Sequence, residues 1–279
     1  MPALPKLGLA KRPRNSSDDP EEFRLSVGEH LEELRARIMR MAVMLAVGFL
    51  AGWFLEPPVY QTFSSLVEHT VRSMMPQHIE YKEVFKNVTE PFMLKLKLAF
   101  YIGLILALPF MVTELWGFIK PGLKPSERRP LQLLAPISVV LFFIGAAVCW
   151  MILPSAFAWF LSYTTEFPDT AIYQEPGTLV FFILKMILAF GIGFQLPIVV
   201  YFLAKIGLIG PGTLGRYWRQ ITVVVFFASA ILTPSADMFS MLMMAIPLTL
   251  LFFVSVFAVK LTVKPDPELL GPIDQLDTE

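Results

Sequence analysis

The sequence predicts an all-α integral membrane protein with six transmembrane helices. Three observations predict it: the composition, six apolar runs, and the way cations alternate between the connections. Apolar residues make up 55% of the 279 and charged residues 16%, with a mean hydropathy of +0.61. Soluble domains average roughly 45–50% apolar and about 25% charged. The apolar runs cover residues 38–55, 91–116, 131–161, 177–206, 217–232 and 238–259. A helical span needs about 17–25 apolar residues. The second, third and fourth runs exceed this, so tilt, bending or projection is expected, with Pro109, Pro136, Pro154, Pro197 and Pro247 as bend candidates. The fifth is short and stops at Thr233-Pro234.

Charge then sets parity. Arg35, Arg37 and Arg40 lie beside the start of the first run, and Lys120, Lys124, Arg128 and Arg129 fill the second-to-third connection. Lys205, Arg216 and Arg219 surround the fourth-to-fifth connection, and Lys260 and Lys264 follow the last run. Residues 166–175 and 233–237 hold no cation. Cytoplasmic connections are enriched in Lys and Arg, so both termini are expected in the cytoplasm. The organisation expected is a disordered cytoplasmic tail at 1–25, a six-helix domain at 26–260 and a cytoplasmic tail at 261–279. The first run is too long and starts too far into the chain for a secretory signal.

Enzymatic motifs are missing. There is no His-Glu-x-x-His, no Gly-x-Ser-x-Gly and no phosphate loop. His30, His69 and His78 all lie outside the runs, and none is spaced to share a metal. The one cysteine, Cys149, sits in an apolar run and reads as a packing residue. Neither an enzyme, a metal site nor a cofactor is therefore expected. An alternative class, a solute permease or secondary transporter, predicts repeated halves and a polar cluster at mid-membrane. No repeat is visible. Gln195, ahead of Pro197, is the main intramembrane polar residue, and it suits interhelical hydrogen bonding as well as a functional role. Lys95, Lys97 and Lys185 are expected to reach outward from their spans.

The polar interest lies instead at the inner border. Ser26 and Glu29 have the spacing of a capping box, and Val27, Leu31, Leu34 and Ile38 recur at helical spacing. The result is an amphipathic helix leading into the first span, with Glu29, Glu32, Glu33, Arg35 and Arg37 on its polar face. A Glu33–Arg37 pair at i,i+4 accounts for part of that face without invoking a ligand. Between the second and third runs, Pro121, Gly122 and Pro125 fix a turn, and Ser126 and Glu127 suit the start of a helix. Glu33 and Glu127 could still share one surface, and two carboxylates there would suit paired guanidinium groups.

The segment His30-Leu31-Glu32-Glu33-Leu34-Arg35-Ala36-Arg37 resembles the His-Leu-x-Glu-Leu-Arg-x-Arg signature of the TatC family, the multi-spanning subunit of the twin-arginine protein translocase. Trp116-x-Phe118, Pro121-Gly122-Leu123 and Glu127-Arg128-Arg129 are similar to that family's first cytoplasmic loop. Pro91-Phe92 with Pro109, Phe194-Gln195-Leu196-Pro197, and Leu232-Thr233-Pro234 with Asp237 extend the resemblance over about residues 26–260. It departs at Gln195, where many members carry Glu, and at Met241, where many carry Gln.

The resemblance implies a concave bundle with two short C-terminal helices in the cytoplasmic (inner) membrane. It implies a receptor for twin-arginine signal peptides of folded cargo, driven by the proton-motive force. Glu33 and Glu127 would supply carboxylates, Arg35 and Phe118 would shape the site, and Leu34, Pro109, Trp116, Pro121, Gly122 and Asp237 would support it. The implied partners are TatA- and TatB-type single-span subunits, membrane lipid and further copies of the chain, with no nucleic acid.

Overall fold

The computed structural model describes residues 27–74, 81–120, 125–167, 172–233 and 237–262. The expected 1–25 tail, Ser26, Pro121, Gly122, Pro234 and the chain beyond 262 lie outside the described residues, as does the side chain of Glu127.

Helix α1 is Val27–Met74 and α2 is Glu90–Ile119. Helix α3 is Pro125–Ser162, followed by a 3-10 turn at Tyr163–Glu166. Then come α4, Thr178–Gly193; α5, Leu196–Lys205; α6, Pro211–Arg216; α7, Trp218–Leu232; and α8, Met238–Thr262. Among the described residues, five stretches are long and apolar enough to cross a membrane: α1, α2, most of α3, α4 with α5, and α8. The sixth, α7, is apolar but has 15 residues. Of the two C-terminal helices expected to be short, α7 is; α8 has 25 residues and is of spanning length.

Two elements depart from the sequence reading. The first apolar run ends at residue 55, and the stretch 56–90 that follows it reads from its sequence as a loop. Instead α1 runs on through Pro57 and Pro58 to Met74. Val59, Phe63, Val67 and Val71 recur every four residues on that extension. Phe63, Val67 and Val71 pack into the main core with Leu153, Phe157 and Met186, which offsets the ladder bonds lost at the prolines. The second departure is a parallel two-stranded pair, β1 at Tyr81–Glu83 and β2 at Ile172–Gln174, in the register Tyr81–Ile172, Lys82–Tyr173, Glu83–Gln174.

The fourth span is broken, as Pro197 led one to expect. Helix α4 ends at Gly193, and α5 starts at Leu196 after a turn at Phe194-Gln195. Proline has no N–H to give back to the preceding turn. Pro109, by contrast, lies fully buried in an uninterrupted α2.

Helices α1 and α2 form an antiparallel pair in close contact. A Cβ on Gly52 would run into the Ala99 carbonyl, and one on Gly103 would lie 2.6 Å from Gly48 backbone atoms. Helix α3 packs on α2 and α4, and α8 on α5 and α7. The outward surface is apolar: Phe54 is 78% exposed, Met151 76% and Ile231 82%. Large apolar side chains this open over whole helices suit hydrocarbon rather than water.

Candidate functional site

The antiparallel pairing brings the start of α1 to the end of α2. His30, Glu33 and Arg37 follow one another at three- and four-residue steps, so they share a face of α1. That face meets Glu114, Gly117 and Phe118 of α2. The His30 ring stacks on Phe118, with centroids 4.4 Å apart and planes 13° from parallel.

Arg37 is the centre of the cluster. Its Nε and Nη2 donate to Glu33 Oε1 at 3.0 and 2.6 Å. Its Nη1 donates to Glu114 Oε2 at 3.0 Å and to the Glu114 carbonyl at 3.2 Å. Arg40 Nη2 lies 3.2 Å from the same Glu114 oxygen. Arg37 and Glu114 are each 16% exposed and Glu33 24%, so the pairs are partly shielded from solvent screening. The bare side of Gly117 accommodates the guanidinium, since a Cβ there would strike Arg37 Nη1.

A second set of bonds joins α2, α3 and the α4–α5 break behind this cluster. Trp116 Nε1 donates to Ser138 Oγ at 2.8 Å, and Ser138 Oγ donates to the Leu134 carbonyl at 2.9 Å. Gln195 Nε2 donates to the Ser138 carbonyl at 3.0 Å. Trp116 also meets Phe202 edge to face at 5.2 Å. Beyond it, an apolar groove of about 430 Å³ lies between α3, α5 and α8, lined by Ile137, Leu141, Pro197, Tyr201, Leu251 and Val254 among others.

Of the residues singled out from sequence, Glu33 and Phe118 are brought together, with Trp116 buried a half-turn before Phe118. Leu34 is half-buried and Arg35 exposed. Glu127 lies in the first turn of α3. Asp237 is not part of this surface: it precedes α8 and caps it, its Oδ1 accepting the Ser240 N–H at 2.7 Å. Glu114, Arg40 and Ser138 were missed. Glu114 had one available signal, its position four residues before Phe118, which puts the two on one face of α2. Among the described residues, no three His, Cys, Asp or Glu side chains converge to hold a metal.

These features define a polytopic helical membrane protein whose polar groups gather where the first two helices begin and end. The family model described as Sec-independent protein translocase protein (TatC) matches residues 29–247. A protein of that name from Koribacter versatilis is 36% identical over 83% of this chain and 84% of its own. One from Carboxydothermus hydrogenoformans is 33% identical over 88% and 96%. A crystal structure of a twin-arginine translocase receptor, TatC, superposes with a TM-score of 0.69 at 29% identity, covering 85% of this chain and all of that one. The chain belongs to the TatC family: it is a multi-span component of the Sec-independent protein translocase, not an enzyme.

Proposed function

We propose that this chain is the signal-peptide-receiving subunit of a twin-arginine translocase in the cytoplasmic membrane, with both termini in the cytoplasm. Glu33 and Glu127 take the two guanidinium groups of the signal, and Phe118, stacked on His30, walls the site. Arg35 and Leu34 flank it on α1. The signal's apolar stretch lies along the groove between α3, α5 and α8. Leu134 on the groove's lining is two turns beyond Glu127 on the same helix. TatA- and TatB-type single-span subunits and further copies of the chain complete the complex, and the proton-motive force drives transport.

The observation that carries this reading is the position of Glu33, part-exposed beside Phe118 where α1 and α2 meet, with α3 starting a few residues further on. A carboxylate binds arginine through two parallel N–H bonds, which lysine cannot reproduce. The test is binding of a synthetic twin-arginine signal peptide to the full chain in lipid nanodiscs. Glu33→Gln and Glu127→Gln are each expected to weaken it roughly ten- to hundredfold, the equivalent of about 1.5–3 kcal/mol per charge-assisted contact. A twin-lysine peptide should bind the wild type far less well. Unchanged binding in the double variant would reject the site.

A further inference from the structure

Glu33 is not open in this structure, and its occupant has somewhere else to go. We propose that Arg37 is a resident guanidinium that holds Glu33 until a signal arrives, then passes wholly to Glu114. The proposal rests on the reading that Glu33 receives the signal.

Two of the five guanidinium donors of Arg37 are on Glu33 Oε1, at 3.0 and 2.6 Å. An incoming arginine that is to grip both carboxylate oxygens has to displace them. Displacing an arginine that is only 16% exposed would ordinarily leave an uncompensated part-buried charge, a strongly unfavourable outcome. Here it does not, because Arg37 Nη1 is already bonded to Glu114 through both the side chain and the carbonyl. Glu114 has capacity to take it, since its other cation, Arg40, is 53% exposed and returns to water at little loss. One guanidinium therefore enters at Glu33, Arg37 moves along α2, and Arg40 leaves. The cluster of two carboxylates and two arginines keeps its charge balance throughout. Gly117 leaves the face of α2 bare where Arg37 lies.

The thermodynamic consequence is specific. If Glu33 is free only a fraction of the time, the apparent Kd of any ligand exceeds its intrinsic Kd by the inverse of that fraction. The factor is common to all ligands. Arg37 thus sets the threshold for binding, while the preference for arginine over lysine comes from the carboxylates themselves.

The experiment measures twin-arginine and twin-lysine signal peptides against the full chain in nanodiscs, as wild type, Arg37→Lys, Glu114→Gln and the double variant. Lysine keeps the charge at 37 but cannot span two carboxylates, so Arg37→Lys should tighten both peptides by one common factor, about fivefold or more. Glu114→Gln should weaken both, because Arg37 then has no charged alternative to Glu33. In the Arg37→Lys background the Glu114→Gln effect should shrink to within about twofold, the mark of two residues acting through one exchange. Gly117→Ala is the companion variant should Arg37→Lys fold poorly: its methyl displaces Arg37 Nη1 from Glu114 on α2, leaving Arg37 to Glu33, and should weaken both peptides as Glu114→Gln does. An Arg37→Lys protein that folds and binds no more tightly than wild type overturns the exchange. So does a Glu114→Gln effect of equal size in both backgrounds, which would be a general field effect. A wild type that fails to prefer the twin-arginine peptide overturns the signal-site reading itself, and the exchange with it.

Discussion

Ser138 answers to two different helices: its hydroxyl accepts the Trp116 indole N–H at 2.8 Å, and its carbonyl accepts Gln195 Nε2 at 3.0 Å. Ser138→Ala removes the first bond and leaves the second. It strands a buried N–H, and is expected to destabilise the chain by about 0.6–1.7 kcal/mol, the range for interhelical hydrogen bonds in membranes. Gln195→Leu differs. It removes a donor, but also an amide oxygen, Oε1, that is buried with no hydrogen-bond partner in the structure. Its change in stability should therefore be the smaller of the two. Denaturant titration of both variants in one detergent checks the order. At this scale Glu33, Phe118 and Trp116 stand out as candidates through their motifs. Glu114 stayed hidden because periodicity reports faces within one helix, whereas its partner Arg37 lies 77 residues away on another.

At the scale of elements, the α1–α2 contact depends on small residues. Gly103→Val puts side-chain atoms where Gly48 backbone already lies, so the helices must part or the chain must bend. Overpacking of this kind costs about 1–3 kcal/mol. A lower thermal midpoint, together with loss of the His30–Phe118 and Arg37–Glu114 contacts at the far end of the same pair, is expected. Crosslinking between cysteines placed at 30 and 118 would report it. Helix α8 carries a separate dependence. Asp237→Ala removes the acceptor for the Ser240 N–H and should cost about 1 kcal/mol, with Asp237→Asn losing much less. Thermal midpoints of the two variants decide this, and the loss should leave signal-peptide affinity unchanged. The length of α1 was the least legible feature at this scale. Pro57-Pro58 reads as a stop, and the stripe at Val59, Phe63, Val67 and Val71 that overrides it shows its purpose only once α3 and α4 are there to receive it.

Across the whole molecule, hydropathy located all six apolar helices in the right order, since an apolar run of spanning length has few other fates. The outer connections were harder to read. Lys86 Nζ reaches Glu175 at 2.6 Å beside the strand pair, and that hydrogen bond, followed by the attraction of the two charges, raises the lysine above its ordinary range. A raised lysine contributes in full at neutral pH and loses its contribution as pH climbs through the raised value. Lys86→Gln should therefore lower the thermal midpoint slightly near neutrality, less so in high salt, and should match the wild type in strongly alkaline buffer. Melting curves across that pH range test the sign.

The β1–β2 pair joins segments separated by roughly ninety residues, and parallel strands cannot be closed by a tight turn. Everything between them, two long helices included, has to be synthesised and threaded before the strands can meet. Pairing is therefore a late event in biogenesis, and a ribosome-tethered chain truncated before Ile172 would carry β1 as an unmatched edge, open to whatever quality-control factor first encounters it.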